Sequence, residues 1–226
     1  MAESSGAPLA ERYVEVPSRA GTLKGILVMP RDAAGIVLFA HGSGSSRFSP
    51  RNRFVAGVLQ EGGIATLLMD LLTEEEAEDR TRVFDIDLLT ERLLEATGWV
   101  RQQPETRGLP IGYFGASTGA AAALKAAARE GTRIAAVVSR GGRPDLASDV
   151  LPRVKAPTLL IVGGDDQQVV DLNQQAYNLL PGEAELTIIP GATHLFEEPG
   201  ALEEVARLAR DWFKRQLQTQ RLRRAA

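Results

Sequence analysis

Short apolar runs rich in β-branched residues alternate along the chain with longer segments whose apolar positions recur every three or four residues. That alternation predicts βαβ units around a mostly parallel sheet. Strands are predicted over 13–16, 23–28, 36–40, 65–69, 111–114, 134–139, 159–162 and 186–189. The middle ones are apolar throughout, as a strand covered on both faces requires. The first two alternate more and are joined by the turn-like Pro-Ser-Arg-Ala-Gly-Thr, which predicts an antiparallel hairpin at the sheet edge.

Helices are predicted over 52–61, 87–101, 117–128, 172–180 and 202–218. In the second, Leu88, Leu89, Leu93, Leu94 and Trp99 form a stripe at helical spacing that should face the sheet. The acidic stretch 74–80 reads as an exposed connection, with a helical turn as the other reading, and its charges as a solvated face. No repeat, low-complexity linker or shift in composition marks a second domain. The expectation is one α/β domain over 1–226, an eight-stranded, mostly parallel sheet flanked by helices and without a cap domain, with 1–10 and 219–226 flexible.

Composition narrows the chemistry. The 226 residues include no cysteine and two histidines. Disulfides, zinc-thiolate sites, Fe–S clusters and a thiolate nucleophile are thereby excluded, and covalent catalysis would have to use Ser, Thr, Lys or a carboxylate. Two histidines also leave no His-rich metal centre, and no metal site is expected. Lys+Arg 26 against Asp+Glu 29 gives a net charge of -3, with no electrostatic reason to expect nucleic acid or an anionic membrane as partner. The first residues lack the basic and apolar regions of a secretory signal, and no apolar run approaches the ~20 residues that span a bilayer, so a cytoplasmic location is expected. There is neither a G-x-x-x-x-G-K-[ST] loop nor a G-x-G-x-x-G after the first strands, so ATP and NAD are not expected and no cofactor is implied.

Gly115-Ala116-Ser117-Thr118-Gly119 ends a predicted strand and opens an alanine-rich helix. This is the strand, turn and helix setting of a G-x-S-x-G nucleophile elbow, in which the glycines admit close backbone approach and the helix N-terminus presents free N–H groups to a developing oxyanion. Serine needs a base, and the two histidines limit the search: His41 in His41-Gly42-Ser43-Gly44 after the third strand, and His194 in Gly191-Ala192-Thr193-His194-Leu195-Phe196 after the last. The seventh strand runs into Val162-Gly163-Gly164-Asp165-Asp166, which places carboxylates at a strand end.

These four motifs, in this order and over nearly the whole chain, resemble the α/β-hydrolase superfamily, and its small, lidless dienelactone-hydrolase-like branch in particular. The resemblance implies that Ser117 is the nucleophile, His194 the base, and Asp166 rather than Asp165 the orienting acid, with Asp171 a helix cap or first-turn carboxylate. It places His41 in the oxyanion loop and implies an oxyanion hole made by the backbone N–H groups of Thr118 and Ser43. Dienelactone hydrolases use cysteine where this chain has Ser117, which favours a serine esterase acting on small carboxylic esters. An acyltransferase or thioesterase on the same triad, and a non-catalytic binding module on the same fold, are the alternatives.

About twenty residues separate the sixth and seventh predicted strands, too few for a helical cap, so an open cleft is expected. Arg140 and Arg143 follow the sixth strand at the edge where Ser117 lies, and either is a candidate to hold an anionic substrate group. Equally, such an arginine can tie down its loop by pairing with Asp145. Arg47 and Arg51 extend the first possibility. Phe48, Phe84, Leu195 and Phe196 are candidates for an acyl pocket, with core or rim packing as the other reading. The expected partner is a small-molecule ester, and oligomeric state is not readable.

Overall fold

β1 (Glu11–Ser18) and β2 (Gly21–Val28) form the antiparallel hairpin that their alternation predicts, with Gly21 in the turn at φ 121°. The computed structural model describes residues 9–225. Residues 1–8 of the expected flexible N-terminus lie outside them. β2 continues antiparallel onto β4 (Ala65–Met69), and from β4 onward every pairing is parallel: β3 (Ile36–Ala40), β5 (Ile111–Ala116), β6 (Ile134–Arg140), β7 (Thr158–Gly163) and β8 (Ala184–Ile189). The spatial order is β1-β2-β4-β3-β5-β6-β7-β8. Every residue of β3 to β7 is buried, in agreement with their unbroken apolar pattern, while edge strand β8 buries only Ile189.

Helices cover both faces. On one, α4 (Ile86–Gln102) contributes Leu89, Leu93, Ala96 and Val100, and α5 (Thr118–Glu130) packs its buried alanines beside them, with α6 (Gln167–Leu179) adding Ala176. On the other, Val55 and Leu59 of α1 (Pro50–Glu61) meet Val205, Trp212 and Phe213 of α7 (Ala201–Ala225). Leu88, Leu94 and Trp99 of the predicted stripe are only partly buried, at the rim of the first layer.

Two expectations change. The acidic stretch folds into α2 (Glu74–Glu78) and α3 (Arg80–Val83) and is not simply a solvated face: Glu76 is 5% exposed and accepts from Arg92 Nη2 at 2.8 Å. Thr73 and Glu76 form a reciprocal capping box, which turns the chain inward at that carboxylate. At the C-terminus, α7 continues through 219–225, where a flexible tail was expected. Its last polar turns carry no apolar stripe, so periodicity alone stops near Gln218.

The strand order reverses between β3 and β5, because β3 leads to β4 on one side and β5 to β6 on the other. Parallel sheets open a crevice at the carboxyl ends of their strands at such a switch point. The loops carrying His41 and Ser117 both leave the sheet there.

Candidate active site

β5 turns into α5 at Ser117, which has φ 51° and ψ -122°, a left-handed backbone that a side chain adopts only under strain of order 1–3 kcal/mol. The flanking glycines make this turn sterically possible. A Cβ on Gly119 would lie 2.2 Å from the Ala40 carbonyl oxygen, and one on Gly115 2.4 Å from the Ala120 Cα. Ser117 is held from both sides by backbone, its N–H donating to the Arg140 carbonyl and its carbonyl accepting from the Arg143 N–H. The side chain stands half-buried in a cleft of about 260 Å³, lined also by Gly42, Ser43, Arg51, Asn52, Arg140, His194 and Leu195.

His194 reaches this cleft from the loop after β8, and its Nδ1 lies 2.7 Å from Asp166 Oδ2 at the end of β7. A carboxylate oxygen can only accept, so Nδ1 carries the proton and Nε2 presents a lone pair. Of the two adjacent aspartates, Asp166 makes this contact while Asp165 is exposed. Asp171 lies inside α6, which begins at Gln167, earlier than its apolar spacing suggests. No hydrogen bond joins Ser117 Oγ to His194 among the described residues. Both side chains nevertheless line the same cleft.

The histidine loop is fastened by groups that no motif reveals. The Thr193 N–H and hydroxyl donate to the two oxygens of Glu198, at 3.1 and 2.6 Å, and the Asp165 N–H donates to the Ala192 carbonyl at 3.0 Å. A side chain on Gly163 would collide with that same Ala192 carbonyl, at 2.4 Å.

His41 has a different role. It is buried, its Nε2 accepts the Leu71 N–H at 3.1 Å, and its Nδ1 donates to the Gly42 carbonyl at 2.9 Å. Burial pushes its pKa below the ordinary value, against the opposing effects of the Gly42 carbonyl and Asp70, so the ring stays neutral and fixes the backbone of the loop after β3. Asp70 secures the same loop by accepting the Arg47 N–H at 2.7 Å and pairing with its guanidinium, which also lies over the Phe48 ring.

The two candidate oxyanion donors differ in their partners. The Thr118 N–H opens α5 and makes no hydrogen bond within the described residues, whereas the Ser43 N–H donates to the Thr118 hydroxyl at 2.9 Å. The two candidate arginines differ as well. Arg143 makes a two-point pair with Asp145, at 2.8 and 2.7 Å, and does not line the cleft; Arg140 lines the cleft and has no carboxylate partner among the described residues.

A second cavity of about 330 Å³ adjoins the loop after β3 and shares Gly42, Ser43 and Ser45 with the cleft. Leu72, Ala77, Val83 and Leu89 give it an apolar wall, part of which is the α2–α3 segment. Among the aromatic and aliphatic candidates for an acyl pocket, only Leu195 lines the cleft. Phe196 is core, 1% exposed, and Phe48 and Phe84 are exposed side chains. The β6–β7 connection, 141–157, holds two 3₁₀ turns and no covering helix.

The sequence model of the dienelactone hydrolase family matches residues 23–221. A crystal structure of dienelactone hydrolase from Anabaena variabilis superposes with a TM-score of 0.90 at 58% identity, covering 93% of this chain and 99% of that one. Est1E from Butyrivibrio proteoclasticus shares the fold, with a TM-score of 0.79 at 17% identity over 91% of this chain and 98% of its own. A protein of Mycobacterium tuberculosis H37Rv bearing the name "Putative phosphoribosyl transferase" is 61% identical over 206 residues, which is 91% of this chain and 46% of that protein. The chain thus spans about half the length of the curated relatives it matches. With an eight-stranded, mostly parallel sheet, helices on both faces and this match along most of its length, the chain has the α/β-hydrolase fold and belongs to the dienelactone hydrolase family.

Proposed function

We propose that this chain is a serine hydrolase that cleaves small carboxylic esters through an acyl-enzyme. The observation that carries the reading is the strained Ser117 elbow facing the same cleft as an imidazole whose Nδ1 is already engaged by Asp166. Nε2 of His194 takes the Ser117 proton as Oγ attacks the ester carbonyl. The Thr118 N–H stabilises the oxyanion, and the Ser43 N–H acts with it, directly or through the Thr118 hydroxyl that it now touches. His194 then protonates the leaving alcohol, and water cleaves the acyl-enzyme with His194 again as base. Asp166 holds the imidazole in the required tautomer throughout.

The apolar cavity across the oxyanion loop suits the hydrocarbon part of such a substrate, and the absence of a covering helix between β6 and β7 suits entry from solvent. The phosphoribosyl transfer in the relatives' name belongs to proteins about twice this length, while the elbow and the histidine-aspartate pair support acyl transfer to water. Hydrolysis of 4-nitrophenyl acetate tests the reading. Ser117→Ala and His194→Ala should each lower kcat by ~10⁶. Full activity in purified Ser117→Ala would overturn this mechanism, and no labelling of the wild type by a fluorophosphonate would favour a binding module.

A further inference from the structure

Arg140 is 8% exposed, and its Nε and Nη1 are sealed from solvent without a hydrogen bond among the described residues. A buried guanidinium is ordinarily matched by a carboxylate, because an unpaired buried charge is strongly destabilising. The charged neighbour that acts on Arg140 is instead another cation, Arg51. Burial first, and then that repulsion, push its pKa down to about 10, which still leaves it charged at neutral pH. Arg51 also has a buried, unpaired Nε, and its contact with Glu197 is a single 3.3 Å approach to a side chain 65% exposed, a pair that solvent weakens. Both arginines line the cleft with Ser117 and His194. So do Ser49 and Asn52, the cap and first turn of α1, which bring the positive dipole end of a twelve-residue helix to the same place, although Pro50 has no N–H and the Asn52 N–H is held by the Ser49 hydroxyl at 3.3 Å.

The strands explain how this cluster comes to lie beside the nucleophile. Arg140 ends β6 in register with Ala116, the residue before Ser117, while Ser139 next to it points to the other face, towards Ala120 and Gly142. Arg140 therefore projects towards α1 and away from Asp145, whose carboxylate Arg143 already occupies.

We propose that the cleft beside Ser117 binds a doubly charged phosphate-type group carried by the substrate, with Arg140 as its principal ligand, Arg51 as the second and the first turn of α1 beside them. With Nε and Nη1 of Arg140 sealed, its Nη2 is the nitrogen turned to the cleft, and the two guanidinium charges with the helix dipole suit a dianion better than a carboxylate, which carries one charge. The inference deepens the ester-hydrolase reading and rests on it: the substrate is an ester whose acyl or alcohol part bears a phosphate or phosphonate.

The test compares three matched 4-nitrophenyl esters on the full chain: the butyrate, the hemisuccinate and the 3-phosphonopropionate, at a pH where the phosphonate is doubly ionised. The expected result is a kcat/KM for the phosphonate ester about tenfold or more above both others, about 1.4 kcal/mol of selectivity, lost in Arg140→Met and reduced in Arg51→Met. Equal rates, or preference for the hemisuccinate, overturn the proposal. If none of the three is cleaved, the hydrolase reading fails, and calorimetric titration with inorganic phosphate then tests the subsite alone. Binding that weakens about tenfold in Arg140→Met supports it, and no binding to the wild type overturns it. Should Arg140→Met not fold, Arg51→Met, altered at a side chain one-third exposed, serves as the comparison in both assays.

Discussion

The backbone N–H of Ser43 and the hydroxyl of Thr118 are 2.9 Å apart and hydrogen-bonded, so one donor of the expected oxyanion hole is already engaged by the residue that supplies the other. A hydroxyl that accepts one hydrogen bond still has its own O–H to give. On the proposed mechanism Thr118 thus has two donors to give an oxyanion, its N–H and an O–H polarised by Ser43. Thr118→Val, which keeps the shape and removes the hydroxyl, is expected to lower kcat by roughly 10² with KM little changed, in the range for loss of one oxyanion donor. Thr118→Ser should restore most of the rate. Steady-state kinetics on 4-nitrophenyl acetate check both variants.

Asp166 and Asp165 are adjacent, yet only Asp166 touches His194. Asp166→Ala should lower kcat by ~10⁴, because the imidazole loses both its tautomer and its orientation. Asp165→Ala removes an exposed side chain and should stay within a few-fold of wild type. A large loss in the second variant and a small one in the first would reassign the acid.

His41 makes stability depend on pH in a direction fixed by burial. Its pKa is lowered from 6.5 in the folded protein, so the unfolded chain binds the proton more readily. Its contribution is complete above about pH 6.5 and is lost as pH falls towards the folded pKa, where protonation would remove the acceptor for the Leu71 N–H. Urea unfolding at a series of pH values should show this slope in the wild type. The slope should be missing in His41→Gln.

The inward carboxylate Glu76 gives a separate acid sensitivity. Burial alone would raise its pKa, but the Thr73 N–H, Arg92 and Arg82 outweigh that and hold it below the ordinary 4.5. Its stabilisation is present above about pH 4.5 and is lost as pH falls through the folded pKa. Glu76→Gln leaves Arg92 buried at 5% exposure with Glu95 as its one carboxylate partner among the described residues, and should destabilise the fold by about 3 kcal/mol, the scale for breaking a buried pair. Equilibrium denaturation in urea measures it.

The strands, the Ser117 turn and the His194–Asp166 contact were legible because each signal is local. An apolar run covered on both faces, a glycine two residues either side of a serine and a histidine after the last strand all lie within a few positions. Thr118 and Ser43, 75 residues apart in sequence, meet only once β3 and β5 are neighbours. Arg140 and Arg143 were indistinguishable in sequence because both follow β6. Strand pleating separates them, turning one towards α1 and leaving the other within reach of Asp145. Glu76 looked like one of several solvated acids, since its partner Arg92 is 16 residues away on another helix. Glu198, which fastens the histidine loop, lies in Glu197-Glu198-Pro199 with no pattern to distinguish it from its neighbour.

The stretch Gly42 to Ser45 borders the polar cleft on one side and the apolar cavity on the other. On the proposed function, substrate choice and chemical rate would share one short piece of backbone. A substitution that enlarges the apolar side would also shift the Ser43 amide, the proposed oxyanion donor, so divergence towards new substrates by changes in this loop should come with slower turnover. The α2–α3 wall, which borders the apolar cavity alone, can vary without that penalty.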